Sequence, residues 1–288
     1  LSPQKLAPQL LPSPLPVSAV AYADATSDGL EDWNLLPPRP DWAGGLREAW
    51  TPGEAGAHAR LDAFVTEGLP LYHRRDEPAV AATSRLSPHL RFGEVSPFQL
   101  WEAAHGRDKN SAKFLSEVGW REFSWNILFH SPRLATENFR PAFDGFPWGQ
   151  ADPAELAAWR EGRTGIPLVD AGMRELWHTG YMHNRVRMVV ASFLVKNLLV
   201  DWRVGEQWFW DTLVDADEAN NPASWQWVAG SGADAAPYFR VFNPELQAAY
   251  TVDSQEWRLT NILIPLMQLH PATVGYALVP DARGIDAL

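Results

Sequence analysis

Residues 183–200 read HNRVRMVVASFLVKNLLV. Val186, Val189, Val190, Phe193 and Leu194 recur at intervals of three and four, which places them on one stripe of a helix; Arg185, Met188 and Ser192 fall on another. Working outward from this stretch, helical spacing also predicts helices at 112–129, 153–161, 167–179 and 205–213. Three helix starts announce themselves by a hydroxyl followed by proline: Thr51-Pro52 with Glu54 three residues after the cap, Ser87-Pro88 and Ser96-Pro97. After the first of these, Leu61, Phe64 and Val65 keep helical spacing. No stretch alternates convincingly with period two and no tandem repeat is visible, so the expected fold class is all-α.

The chain has 288 residues, 46% of them hydrophobic and 20% charged, enough for a real core and against global disorder. It contains no cysteine, which excludes disulfide scaffolds, thiolate metal sites and cysteine nucleophiles and fits a reducing, cytoplasmic setting. No apolar run approaches the roughly 18 residues of a membrane span, and no basic-then-apolar leader opens the chain, so a soluble protein is expected. Because the sequence begins at Leu1 rather than at Met, it is read as a fragment.

Prolines at 3, 8, 12, 14, 16, 37, 38 and 40 mark residues 1–49 as an extended interdomain linker with little core. The globular part is expected at 50–247. Residues 248–288 form a C-terminal segment for which the sequence offers no functional reading.

Two features frame the function. The formal net charge is −11, so the surface as a whole does not advertise a polyanionic partner. Yet residues 160–203 hold seven Arg or Lys against four acids, a local basic face suited to phosphate backbone. The 15 tryptophans suit flat ligands, stacked bases or electron hopping, and equally an aromatic core.

Some patterns fail on inspection. Gly230-Ser231-Gly232-Ala233-Asp234-Ala235 fits a dinucleotide fingerprint but lacks a surrounding βαβ unit. Asp215-Ala216-Asp217 begins like a calcium loop, but its sixth position is Asn220 and its twelfth Gln226. His178 and His183, read as five apart on one helix, do not share a face. No metal site survives.

Four clusters remain. Thr83-Ser84-Arg85-Leu86-Ser87 sets three hydroxyls and a guanidinium at a helix mouth, either a phosphate cradle or simple capping. Glu117 and Trp120 share a helix face, as a base-reading pair or as a Glu117–Arg121 surface pair beside a core tryptophan. Residues 182–188 supply two arginines, an amide and a thioether. Residues 215–227, leading to 234–240, combine two acids, a pair of asparagines and two tryptophans into a polar pocket with aromatic walls.

Together and in this order, TSRLSPHLRFGEVSP, EVGWREF, GIPLVDAGMREL, GYMHNRVRM, DWRVGE and DADEANNPASWQWVAGSGADAAPYFRVFNP resemble the FAD-binding helical domain of the photolyase and cryptochrome family, from about Trp50 to Leu246. Within it they look like bacterial class I enzymes that split cyclobutane pyrimidine dimers. The resemblance implies that Tyr72, Thr83, Ser84, Arg85, Leu86 and Ser87 hold FAD. It implies that Arg187, Asp215, Asp217 and Asn221 meet the isoalloxazine and ribose, with Asn221 near flavin N5. Glu117, Trp120, Asn184, Arg185, Met188 and Trp227 would line the cavity for a flipped-out dimer, with Arg75 and Arg121 on the DNA. Trp225, Trp202 and Trp148 match the family's three-tryptophan wire. Photoexcited reduced FAD would give an electron to the dimer and recover it after the ring opens.

The implied partner is UV-damaged DNA bound to a monomer. An antenna chromophore, folate or deazaflavin, would require the family's N-terminal α/β domain. After Gln247 the family's lysine-phenylalanine-aspartate phrase is replaced by Ala248-Ala249-Tyr250. Two alternatives stay open, a cryptochrome-like photoreceptor or truncated flavoprotein without repair, and a Trp-rich helical protein without a cofactor.

Overall fold

The computed structural model describes residues 28–33, 35, 41–106, 108–235 and 242–244. Among these residues the regular structure is helical, without a strand, in agreement with the all-α expectation. The α-helices are α1 (Gly44–Ala49), α2 (Glu54–Ala63), α3 (Ser87–Arg91), α4 (Pro97–Ala104), α5 (Lys109–His130), α6 (Pro153–Arg160), α7 (Pro167–Thr179), α8 (Asn184–Ser192), α9 (Trp202–Thr212) and α10 (Asn220–Ala229).

Two apolar cores organise them. Leu61, Phe64, Leu69, Tyr72, Leu100 and Phe114 close the first, built from α2 to α5. Trp159, Leu168, Met182, Val186, Leu194, Trp202 and Trp225 anchor the second, built from α6 to α10. Full burial of such side chains is worth about 1.5–3 kcal/mol each, which is what holds short helices in place. The 22-residue α5 packs in the first core and also touches α10, so it spans the seam.

Several local expectations are corrected. The 183–200 helix is α8 followed by a π-helical turn, Phe193–Asn197, and Leu199 at φ +54° ends it. Ser192, on the second stripe, is fully buried, and its Oγ accepts from the Phe242 N–H at 3.0 Å. Thr51 does not cap α2. Gly53 does, at φ +96°, a conformation L residues rarely adopt, and its N–H donates to Glu94 Oε1 at 2.7 Å.

Ser87 is the first residue of α3 rather than its cap. Ser96 does cap α4, in a full capping box with Gln99. His178 and His183 lie on different elements, the first in α7 and the second capping α8.

α1 lies inside the segment expected to be an extended linker. Its sequence follows the last linker proline, and it docks on α7 so closely that a Cβ at Gly45 would sit 2.1 Å from the His178 carbonyl. The rest of the proline-rich stretch falls largely outside the described residues, as do 236–241 and 245–288. α10 was not foreseen as a helix, since Asn220-Asn221-Pro222 reads as a turn; Pro222 sits in its first turn, where no N–H is needed.

Candidate functional site

A cavity of about 720 Å³ opens between the two cores. Its walls are cross-braced by long-range bonds. Ser87 Oγ donates to Asp215 Oδ2 at 2.6 Å, Arg91 Nε to the Ala216 carbonyl at 2.5 Å, and Trp50 Nε1 to the Thr179 carbonyl at 2.7 Å. Ser87 therefore spends its hydroxyl on the cavity rather than on α3, which is why it is no cap.

From the first half of the chain the wall receives Tyr72, Arg75, Thr83, Ser84, Arg85, Ser87, Glu117, Trp120 and Arg121. From the second it receives Asn184, Arg185, Arg187, Met188, Asp215, Asp217, Asn221, Trp225 and Trp227. Leu86 is not among them; its side chain fills the first core. Trp202 lies buried behind the wall, its Nε1 donating to Asn138 Oδ1 at 3.0 Å, and Trp148 packs half-buried at the edge of the second core. The rings touching Trp225 are Phe209 at 5.0 Å and Trp159 at 6.4 Å.

The polar floor is built from opposed charges. Arg187 Nη2 donates to Asp215 Oδ2 at 2.8 Å. Burial opposes the Arg187 charge, but Asp215 more than offsets it, leaving the guanidinium above its ordinary pKa. Asp215 Oδ1 is buried and has no donor among the described residues. Arg85, held at φ +51°, lays its guanidinium 4.8 Å from the Tyr181 ring and 5.2 Å from that of Trp50, with Nε buried and unpaired. Tyr72 is pushed up in pKa by burial and then by Glu117, so its hydroxyl stays neutral.

Asp217 accepts from the N–H groups of Ala219 and Asn220 and from Asn220 Nδ2, which starts α10. Asn221 donates Nδ2 to Glu206 Oε1 at 2.9 Å and to the Glu206 carbonyl at 3.0 Å. Its amide nitrogen is thus occupied by the protein, while its oxygen has no hydrogen-bond donor among the described residues. Burial raises the Glu206 carboxyl to about 6.

Burial also raises Glu175 to about 7 against the pull of Arg85 and Arg187. It lowers His183 to about 4, helped by Arg187. Sequence reading missed Glu175 and Glu206. Each is an acid inside an apolar helical period, α7 and α9 respectively, and that interruption is the signal that could have found it.

At the rim, Glu117 does not pair with Arg121, as one reading of the sequence had it. Glu117 Oε1 forms an ion pair with Lys113 Nζ at 2.9 Å and lies 3.8 Å from Arg75 Nε. Arg121 pairs with Glu122 at 2.8 Å. Trp120 is half-exposed and meets Phe123 edge-on, and Trp227 lies near-parallel to Phe242. The site therefore offers a buried, hydrogen-bonding pocket for one heterocyclic ligand and an aromatic, charged mouth facing solvent.

A family model for the FAD-binding domain of DNA photolyase matches residues 114–258. A deoxyribodipyrimidine photo-lyase of Agrobacterium fabrum is 55% identical over 227 residues, covering 77% of this chain and 47% of the relative. A solved bacterial class III photolyase from Agrobacterium tumefaciens aligns with a TM-score of 0.80 at 46% identity, over 93% of this chain and 57% of that one. A Synechocystis cryptochrome aligns with a TM-score of 0.68 at 33% identity, over 81% and 50%. The chain thus spans about half the length of the relatives it matches, and the matched photolyase structure is of class III where the sequence suggested class I. Through its helical, FAD-binding portion, this chain belongs to the photolyase and cryptochrome family.

Proposed function

We propose that residues 50–247 bind FAD in the cavity and use it for light-driven splitting of cyclobutane pyrimidine dimers in DNA. The observation that supports this most is the coexistence of two unlike sets of side chains in one cavity. Its floor is buried and polar, and its mouth is aromatic and charged.

The floor fits a flavin nucleotide. Asp215 Oδ1 is a buried acceptor that needs a donor, and Arg85 Nε a buried donor that needs an acceptor. A ligand with both imide-like N–H groups and phosphate oxygens satisfies the two at once. Thr83, Ser84 and Ser87 add hydroxyls on the same wall, and the free oxygen of Asn221 accepts from a ring N–H. Photoexcited reduced FAD, when bound, supplies the electron that opens the cyclobutane ring and takes it back afterwards.

The remaining work belongs to the chain. A dimer stacks poorly, so taking it out of the duplex costs less than for a normal pair. Trp120 and Trp227 offer apolar faces to the extruded bases, Met188 a soft contact, and Glu117 and Asn184 polar groups for base edges. Arg75, Arg121 and Arg185 meet the backbone. Trp225, Trp202 and Trp148 would form the route by which an external reductant at the surface re-reduces an oxidised flavin.

The test is repair of UV-irradiated DNA by the FAD-reconstituted, reduced chain under blue light and in darkness. Light-dependent loss of dimers supports the proposal. The cryptochrome alignment favours a second reading, a photoreceptor, and flavin photoreduction with no loss of dimers is its signature.

A further inference from the structure

Five charged side chains line the mouth of the cavity in an alternating chain. Lys113 Nζ meets Glu117 Oε1 at 2.9 Å, and Glu117 Oε1 lies 3.8 Å from Arg75 Nε. Arg75 Nη2 lies 3.9 Å from Asp76 Oδ2, and Asp76 Oδ1 forms an ion pair with Arg185 Nη2 at 2.7 Å. Three cations are thereby masked by two acids. A polyanion approaching the free protein meets a rim whose positive field is largely cancelled.

Glu117 is the hinge of this arrangement. Its single engaged oxygen serves both Lys113 and Arg75, and all three side chains face the cavity. The Lys113–Glu117 pair is an i,i+4 contact between part-exposed groups, the kind of ion pair that exchanges readily when a better partner arrives. A base edge presented inside the cavity is such a partner, because its N–H donors reach a carboxylate in a drier setting than the rim. Once Glu117 turns to the base, Lys113 loses its one ion-pair partner among the described residues and Arg75 loses one of its two.

We propose that Lys113 is a DNA phosphate contact held in reserve by Glu117 and released only when an extruded base engages that carboxylate. The inference rests on the DNA-repair reading above and deepens it, because it makes part of the backbone affinity conditional on the lesion. Undamaged DNA leaves Glu117 on Lys113 and draws on the other rim cations. Dimer-containing DNA gains Lys113 in addition. Nothing local marks Lys113 for this role; it lies one helical turn before the EVGWREF phrase and outside the 160–203 basic stretch.

The experiment is binding of the FAD-loaded chain to a short duplex with and without one thymine dimer, across a salt series, for wild type, Lys113→Met, Lys113→Arg and Glu117→Gln. For Lys113→Met, affinity for the dimer duplex is expected to fall about 3–10-fold at low salt, with a salt slope shallower by about 0.9, one phosphate contact. Undamaged DNA should change less than about twofold, and Lys113→Arg should restore the dimer value. Glu117→Gln should bind undamaged DNA more tightly, because its cations are unmasked. Equal losses on both duplexes in Lys113→Met would make Lys113 an ordinary free cation and overturn the proposal, as would no loss on either. A Glu117→Gln chain no tighter on undamaged DNA would also overturn it. If wild type does not prefer the dimer duplex at all, it is the repair reading that fails. Retained flavin absorbance in each variant reports that it has folded.

Discussion

Arg187 and Asp215 face each other at 2.8 Å across the floor of the cavity, 28 residues apart in sequence, and Ser87 completes the triad from the other half of the chain. The Asp215 side chain is almost wholly buried. Buried pairs of this kind add little net stability, because two desolvations offset their attraction, yet losing one partner strands the other. Arg187→Ala should therefore cost about 3–5 kcal/mol in a urea melt. Asp215→Asn, which keeps the shape and the Ser87 contact, should cost clearly less while weakening flavin binding. A cost below about 1 kcal/mol for Arg187→Ala would show that the Asp215 charge does not depend on Arg187.

Gly205 sits against the indole of Trp225. A Cβ there would lie 2.2 Å from one ring carbon and 2.7 Å from Leu194 Cδ2. Gly205→Ala should destabilise the chain by about 1–3 kcal/mol through overpacking, seen as a lower melting temperature, despite its better helix propensity. A neutral or stabilising result would mean that Trp225 can move aside.

Glu175 is held at a carboxyl value near 7 by burial, above its ordinary 4.5. The folded state thus binds more protons than the unfolded chain between about pH 4.5 and 7, so this group's contribution to stability is present at low pH and is lost as pH rises through 7. Glu175→Gln removes the titration. Relative to wild type, the variant should gain stability with rising pH over that window, by about 1–3 kcal/mol in all. A pH-independent difference between the two would contradict a buried, titrating Glu175.

Trp120 stands at the mouth with half its surface exposed. Trp120→Ala should weaken binding to dimer-containing DNA by about 1–3 kcal/mol, the worth of one stacking face, with a much smaller effect on undamaged DNA. Gel-shift or anisotropy titrations on both DNAs measure this directly. Equal losses on the two would remove Trp120 from the lesion pocket.

Much of this was legible in the sequence because helical period and capping chemistry are local. Of the Val186, Val189, Val190, Phe193 and Leu194 stripe all are buried as read except Phe193, which is only partly buried, and the Ser96 cap is where proline and serine placed it. What was not legible depended on distance. Ser87 looks like a cap until Asp215, 128 residues away, claims its hydroxyl. Ser192, opposite the apolar stripe, is buried and accepts a hydrogen bond from Phe242, 50 residues on. Glu117 has Arg121 four residues after it and Lys113 four residues before, and only the fold selects Lys113. α10 hid behind an Asn-Asn-Pro that local rules read as a turn, and Asp217 supplies the acceptor that starts the helix instead. Leu86 lies within the proposed cofactor phrase yet faces the core, because a five-residue α3 turns its side chain away from the cavity.

The most direct test of the central claim is the absorption spectrum of the purified chain after incubation with FAD and removal of free cofactor. The account predicts vibrationally structured flavin bands that bleach under blue light with a reductant and that are diminished in Asp215→Asn. A colourless protein, or bands indifferent to Asp215, would contradict the assignment of this cavity as a flavin site.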